Sequence, residues 1–431
     1  MVHTWQRAAS VIAVGACLAA GCSSSSSNSG GASGDTTVTT AAAATAAVSS
    51  AATTAGTDSG SATTVAQVAT TIAPAAGDDR AFKVMVIGDE TSQISFTVPE
   101  AVPAVEAAFA GLPNVTVLHC DSAGDSNTNQ DCERKAVDQG VAIVIGSFGQ
   151  IGSDVAILKD AGIPAIGGTD PSASNSFSLS AGLASYAGLG VAAGEAKCTT
   201  IATLFLDGAD FLANMVQQGA ALQGAKEVAR SGIPQNTPDI APQVAALTGV
   251  GADCIMLSVT PTQVIQAVTA LNQAGVKAQL IGVGAVFPPE VIKQLGDLAE
   301  GIITSEIQIN PADADPALEP LRTAMAKIDP KAPVTTLAVL SWAAANLIIE
   351  ALPAIDGDVT PATLTTALQG LTDASGGGVI HPVTMKDLAS PTFPRFYNPW
   401  GLLYQIKDGQ PVRLSKDYFS LRPVLEAVKL G

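Results

Sequence analysis

The residues of this chain able to do chemistry stand where apolar segments stop. Those ends are Gly88-Asp89-Glu90-Thr91, Gly146-Ser147-Phe148-Gly149-Gln150, Gly167-Gly168-Thr169-Asp170, Asp207-Gly208-Ala209-Asp210-Phe211, Ser258-Val259-Thr260 and Gly282-Val283-Gly284-Ala285. Their chemistry is that of holding a ligand. Glycine lets a ligand approach the backbone closely, and free N–H groups at a following helix start favour a carboxylate. Ser147 and Thr169 add hydroxyl donors at the same ends. The same residue types also cap helices and form turns, so Ser147, Thr169 and Asp170 each carry a structural reading beside the functional one.

Bond-breaking chemistry has little to stand on. There is no Gly-x-Ser-x-Gly elbow, His-Glu-x-x-His helix or Walker loop. His119 and His381 have no nucleophile or metal partner nearby in sequence, and His119 reads as a surface or packing residue. The reading is therefore not an enzyme, with no cofactor and no metal. A formal charge of −17 argues against nucleic acid and against electrostatic attachment to anionic lipid.

Four cysteines, Cys120, Cys132, Cys198 and Cys254, lie in the part of the chain rich in apolar segments. Cys120 ends a strand-like run and Cys132 follows across a short polar stretch, which favours a local disulfide. Cys198 and Cys254 each precede an apolar strand, and they bridge if those strands are parallel neighbours. Zinc is unsupported, because no Cys-x-x-Cys spacing and no adjacent histidine is present.

The N-terminus sets the compartment. Arg7 precedes an apolar run of roughly 13 residues, too short for a bilayer span of about 20. The run closes on Leu18-Ala19-Ala20-Gly21-Cys22, which resembles a bacterial lipobox. That resemblance implies a signal peptide over 1–21, acylation of Cys22, and a protein on the outer face of the cell membrane. Residues 22–79 are rich in Ser, Thr, Ala and Gly and have too few large apolar side chains to offset ordering entropy. They read as a disordered tether.

The elements that must position the strand ends alternate regularly. Strands at Phe82–Gly88, Val115–Leu118, Val141–Gly146 and Gly162–Ile166 alternate with helices at Pro103–Ala110, Cys132–Gln139 and Ser153–Asp160. The rhythm restarts with helix Leu183–Ala196 and the strands from Thr199, Val228, Asp253 and Gln279. Continuous apolar strands separated by helices call for parallel sheets buried on both faces. The fold class is therefore α/β, with two doubly wound parallel-sheet lobes. Lobe 1 is expected over 80–175 and 312–390, and lobe 2 over 176–311 and 391–431. The greasy helix Thr335–Leu352 must be packed inside one lobe. In such sheets ligands sit outside the carboxyl ends of the strands.

The segment Cys120-Asp121-Ser122 through Cys132-Glu133-Arg134-Lys135-Ala136-Val137 to Gly140-Val141-Ala142-Ile143-Val144-Ile145-Gly146-Ser147 resembles the first lobe of type I periplasmic binding proteins. Gly162-Ile163-Pro164-Ala165-Ile166-Gly167-Gly168-Thr169-Asp170-Pro171 is similar to the family's next strand and ligand loop, and Gly251-Ala252-Asp253-Cys254-Ile255-Met256-Leu257 to part of the second lobe. The resemblance covers Phe82 to the C-terminus. It implies a Venus-flytrap: two lobes, three crossover segments and ligand held in the cleft.

Carried over residue by residue, the resemblance makes Thr169 the holder of an amino-acid carboxylate, with Ser147 or Gln150 in a companion loop. It makes Tyr186 a cleft residue and Phe211 an aromatic contact. Glu90, Phe148, Gly168, Asp170, Asp210, Thr260 and Ala285 complete the ligand set by their places at the strand ends. The amino-acid receptors carry an acid near Gly284 to pair with the ligand's ammonium, and the local sequence here has none. Asp207, Asp210 or Glu90 would have to substitute, or the ligand lacks that ammonium. The implied function is a monomeric lipid-anchored receptor that delivers an amino acid, or a related amide or carboxylate, to an ABC permease. The alternative is a sensory lipoprotein signalling to a membrane partner.

Overall fold

A computed structural model describes residues 78–92, 97–146, 155–180, 183–234 and 237–428. The expected signal peptide, nearly all of the tether, Cys22, and Ser147, Phe148 and Gln150 lie outside the described residues.

The first sheet is wholly parallel. Its strands are β1 (Phe82–Gly88), β2 (Val115–Asp121), β3 (Ile143–Gly146), β4 (Ala165–Gly167) and β5 (Ser176–Ser178), in the order β2-β1-β3-β4-β5. Central strands such as Ile143–Gly146 are buried at every residue, which is why they read as unbroken apolar runs. Pairing of Ser176–Ser178 with β4 puts it in the first sheet, although the sequence reading starts lobe 2 at Ser176. Helices Ala101–Phe109 and Thr336–Ala351 pack together in the core cluster that contains Val84, Val86, Ile143 and Ile145. Cys132 and Ala136, from helix Ser126–Gln139, join Met85, Ile87 and Val144 in a separate cluster. Strand neighbours point to opposite faces, so the two clusters cover the two faces of this sheet.

The second sheet holds β6 (Thr200–Leu206), β7 (Lys226–Ile233), β8 (Cys254–Ser258), β9 (Gln279–Val283), β10 (Ile303–Glu306), β11 (Trp400–Lys407) and β12 (Gln410–Arg413). Their order is β12-β11-β10-β9-β8-β6-β7, and β13 (Phe419–Ser420) pairs with β11. β6 to β10 are parallel; β11 and β12 are antiparallel and close one edge. The Pro- and aromatic-rich tail supplies those closing strands.

Helix Ser126–Gln139 begins well before the Cys132 of its sequence reading. The polar stretch before Cys132 is the first part of helix Ser126–Gln139, not a loop. Asp125 caps it by accepting the Thr128 N–H at 2.9 Å, and Gly140, at φ 62°, ends it. Polar residues on an exposed face give no hydrophobic periodicity, so the cap is the only local signal.

Both disulfides form. Cys120–Cys132 has a Cα–Cα distance of 5.6 Å and Cys198–Cys254 one of 6.0 Å. β6 and β8 are indeed parallel neighbours, with Ile201 opposite Cys254, which brings Cys198 to its partner at the same sheet edge.

Candidate functional site

The carboxyl ends of both sheets come together where the chain passes between them. In the first sheet, Gly88 lies opposite Asp121 and Gly167 opposite Ser178. In the second, Phe205 lies opposite Ser258, Leu257 opposite Gly282 and Val283 opposite Ser305. Three segments make the passage: after Ser178, over Ile307–Asn310, and over Phe396–Pro399. They hold one another. Ser178 N–H donates to Arg395 O and Tyr397 N–H to Ser178 O, both at 2.9 Å, and Asn398 Nδ2 donates to Ile307 O at 3.0 Å. Ile309 N–H in turn donates to Val379 O at 2.9 Å.

Each residue singled out from sequence now has a place. Thr169 is fully buried and its hydroxyl is bonded to the Ser176 hydroxyl. Gly168 donates its N–H to Gly146 O at 2.9 Å, holding the loop against the end of β3. Asp170 accepts from the N–H and hydroxyl of Ser172 at 2.8 and 2.7 Å, so it forms a turn. Thr260 caps helix Pro261–Gln273 in a capping box with Gln263. Glu90 contacts His119 Nδ1 at 2.8 Å. Asp210 is exposed at the start of helix Asp210–Leu222, and the adjacent Phe211 is 44% exposed, a large apolar side chain left open at a strand end. Ala285 lies in the short turn Gly284–Val286. Tyr186, on helix Leu183–Glu195, packs against the main cores of both sheets. Burial raises its phenol pKa, and the Ser258 hydroxyl alongside offsets part of the rise.

Two acids emerge that the strand-end reading did not select. Asp89, beside Glu90, is buried and accepts from Ser122 Oγ at 2.6 Å and Gly124 N–H at 2.9 Å. Its Oδ2 is buried without a partner among the described residues. The other is Glu306, and it corrects the expectation of no acid near Gly284. A Cβ on Gly284 would overlap the Glu306 carboxyl group, so the acid fills the space of the missing side chain. Glu306 is 1% exposed and accepts from Gln308 Nε2 and, at 2.7 Å, from Asn310 Nδ2. Burial pushes its carboxyl up to about 7, against the lowering effect of those two amides. The acid comes from the next strand in the sheet, more than twenty residues along the chain, so only the β9–β10 pairing reveals it. Asp207 and Asp210, considered as substitutes, are exposed at another strand end.

Among the described residues, no group of three His, Cys, Asp or Glu side chains converges as a metal would require. The arrangement offers hydroxyls, backbone amides, an open aromatic and buried acids around the sheet ends. That is equipment for holding a small polar molecule.

A family model described as periplasmic binding protein matches residues 81–390. The chain belongs to the periplasmic binding protein family. Solved structures of this periplasmic binding fold match over nearly their whole length. A leucine-binding protein from Thermotoga maritima is 14% identical, with TM-score 0.66, covering 79% of this chain and 99% of that one. A solute-binding protein of an ABC transporter from R. palustris, in complex with 4-hydroxybenzoate, is 17% identical, with TM-score 0.67, covering 79% and 97%. An ABC transporter substrate-binding protein from Sphaerobacter thermophilus is 17% identical, with TM-score 0.68, covering 81% and 99%. A comparison of this periplasmic binding chain with curated proteins by sequence finds no match.

Proposed function

We propose that this periplasmic binding protein is the solute receptor of an ABC importer, tethered to the outer face of the cell membrane by lipid on Cys22. In this reading the two sheets with their helices close on one small organic molecule, an amino acid or a related amide or carboxylate. The observation that carries it is the convergence of two sets of parallel strand ends at three mutually bonded crossings. Strand ends of this kind are where α/β sheets take ligands. The similar structures named for leucine and crystallised with 4-hydroxybenzoate support a carboxylate-bearing ligand. A tether of the length between Cys22 and Asp79 keeps the receptor near a permease at high local concentration.

The test is a thermal-shift screen of the mature chain against amino acids, amides and small aromatic carboxylates, followed by calorimetry. One site per chain is expected, with solute at about 100 times Kd adding about 2.7 kcal/mol of stability. Phe211→Ala should weaken binding several-fold with an unchanged unliganded Tm, because that ring is open to solvent. Failure of every solute class to stabilise the chain would sink the receptor reading. Incorporation of labelled palmitate, lost in Cys22→Ala, tests the anchor.

A further inference from the structure

The chain enters the first sheet at a fixed point. The Arg80 guanidinium pairs with Asp78 and donates to Leu352 O at 2.9 Å and Ile355 O at 2.7 Å. Asn114 Nδ2 donates to Asp79 O at 2.8 Å. Asn114 stands in the turn between helix Ala101–Phe109 and β2, where Leu112 N–H donates to Phe109 O at 2.8 Å. Ala110 is four residues before Asn114, so no more than about 14 Å separates the two.

Ala110 also borders an apolar groove of about 460 Å³. Pro316 and helix Glu319–Ile328 supply the rest of its lining. Pro320, Ala324 and Ile328 recur every four residues and so form one row along that helix. Leu321 and Met325 are buried and hold the helix against the core of the first sheet. The row of Pro320, Ala324 and Ile328 is left to the groove, and Ile328 is 40% exposed.

The sequence just before Asp78 carries what such a groove would take. Residues 67–77, outside the described residues, bear no charge. Ile72 is the one aliphatic side chain larger than valine between Ser23 and Gly77, and Val68 stands four residues before it. That spacing places two side chains on one face of a helical turn, and it is the spacing of the groove's own row. Six residues join Ile72 to Asp78 and reach about 20 Å when extended, which is enough to bring Ile72 to the groove.

We propose that residues 67–73 dock in this groove through Val68 and Ile72, so that the free tether ends near Gln67 and the chain hangs from the helix layer of the first sheet. A second copy of the chain suits the groove less well. Eight bordering residues make a small surface beside the roughly 1,200–2,000 Å² that a stable protein interface buries. A segment tied six residues away faces the groove at a local concentration in the millimolar range, so even a weak contact is populated.

The experiment uses the full mature chain carrying Cys22→Ser and Thr323→Cys, which leaves one thiol outside the two disulfides and sets it in the groove. Its rate of reaction with a maleimide is read with and without the pair Val68→Ser and Ile72→Ser. Both positions lie outside the described core, so the core keeps all its side chains. Labelling should be slow with Val68 and Ile72 in place and about tenfold faster with the two serines. Ile72→Leu should keep it slow, and so should Val38→Ser with Val48→Ser, which alter the tether elsewhere. Equal rates with and without the serines at 68 and 72 overturn the docking, as does the same acceleration from the pair at 38 and 48. Protection that disappears on dilution of the chain also overturns it, because a second copy then covers the groove. Hydrogen exchange with Thr323 intact reads the segment itself. Corrected for intrinsic rates, residues 69–71 should exchange more slowly with Val68 and Ile72 than with the serines, and equal exchange refutes the docking.

Discussion

At the scale of single residues, acids in this protein are set apart by what surrounds them. Asp253 and Glu306 mark the two extremes. Asp253 is exposed, but it accepts from the Thr199 hydroxyl at 2.7 Å and from the Thr199 and Thr200 N–H groups at 2.8 and 3.0 Å. The hydroxyl bond first, and then the two amides, lower its carboxyl to about 2. A depressed acid contributes stability above its unfolded value of 3.8, and that contribution is lost as pH falls through about 2. Asp253→Asn should therefore lower Tm at neutral pH, with the gap to the wild type closing on acidification to about pH 2; a gap that persists there would refute the account. The role of Asp253 was invisible in a Gly-Ala-Asp run, because its partners come from a strand start more than fifty residues earlier. Thr169 and Thr260 were legible as strand-end residues, yet their hydroxyls are engaged with Ser176 and in a capping box.

Helices and strands were the most readable scale, since burial on both faces writes unbroken apolar runs into parallel strands. Gln279–Val283 matches its sequence reading, and most other elements match to within a few residues. What escaped were elements with weak patterns, such as the polar first part of helix Ser126–Gln139 and the three-residue strand Ser176–Ser178. Close packing between elements is equally hard to read. Helices Leu183–Glu195 and Asp210–Leu222 meet at Gly190 and Gly219, where a Cβ on Gly190 would lie 2.5 Å from the Gly219 backbone. Backbone cannot step aside as a flexible side chain can, so Gly190→Ala should cost about 1–3 kcal/mol in urea unfolding. Gly249 has open space around its Cβ position, and Gly249→Ala is the control, expected within about 0.5 kcal/mol of wild type. Equal midpoints for the two variants would show that the helix contact is not tight.

For the whole molecule, one disulfide fastens β2 to helix Ser126–Gln139 and the other joins the starts of β6 and β8. Cys120–Cys132 closes 12 residues and Cys198–Cys254 closes 56. Chain-entropy arithmetic gives about 3 and about 4 kcal/mol respectively, so replacing the second pair with serine should lower the urea midpoint more. The opposite ranking would count against an entropic origin. The longer link also ties β6 to β8 beside Asp253, at the end of the sheet away from the carboxyl ends proposed to take the solute, so its loss should spare solute affinity in the folded chain. The sequence by itself determined the class of fold, the alternation of elements and the local Cys120–Cys132 pair, and it named the strand ends proposed to take a ligand; the Cys198–Cys254 pair waited on the pairing of β6 with β8. The features read from sequence follow from local propensity, hydrophobic period and spacing, all of which act along the chain. Only the tertiary structure decided which groups meet at those strand ends. It brought Glu306 over Gly284 and turned Glu90 toward His119, and it set Tyr186 between the two main cores. Those meetings depend on strand order and on chain crossings, through which residues far apart in sequence share one buried space.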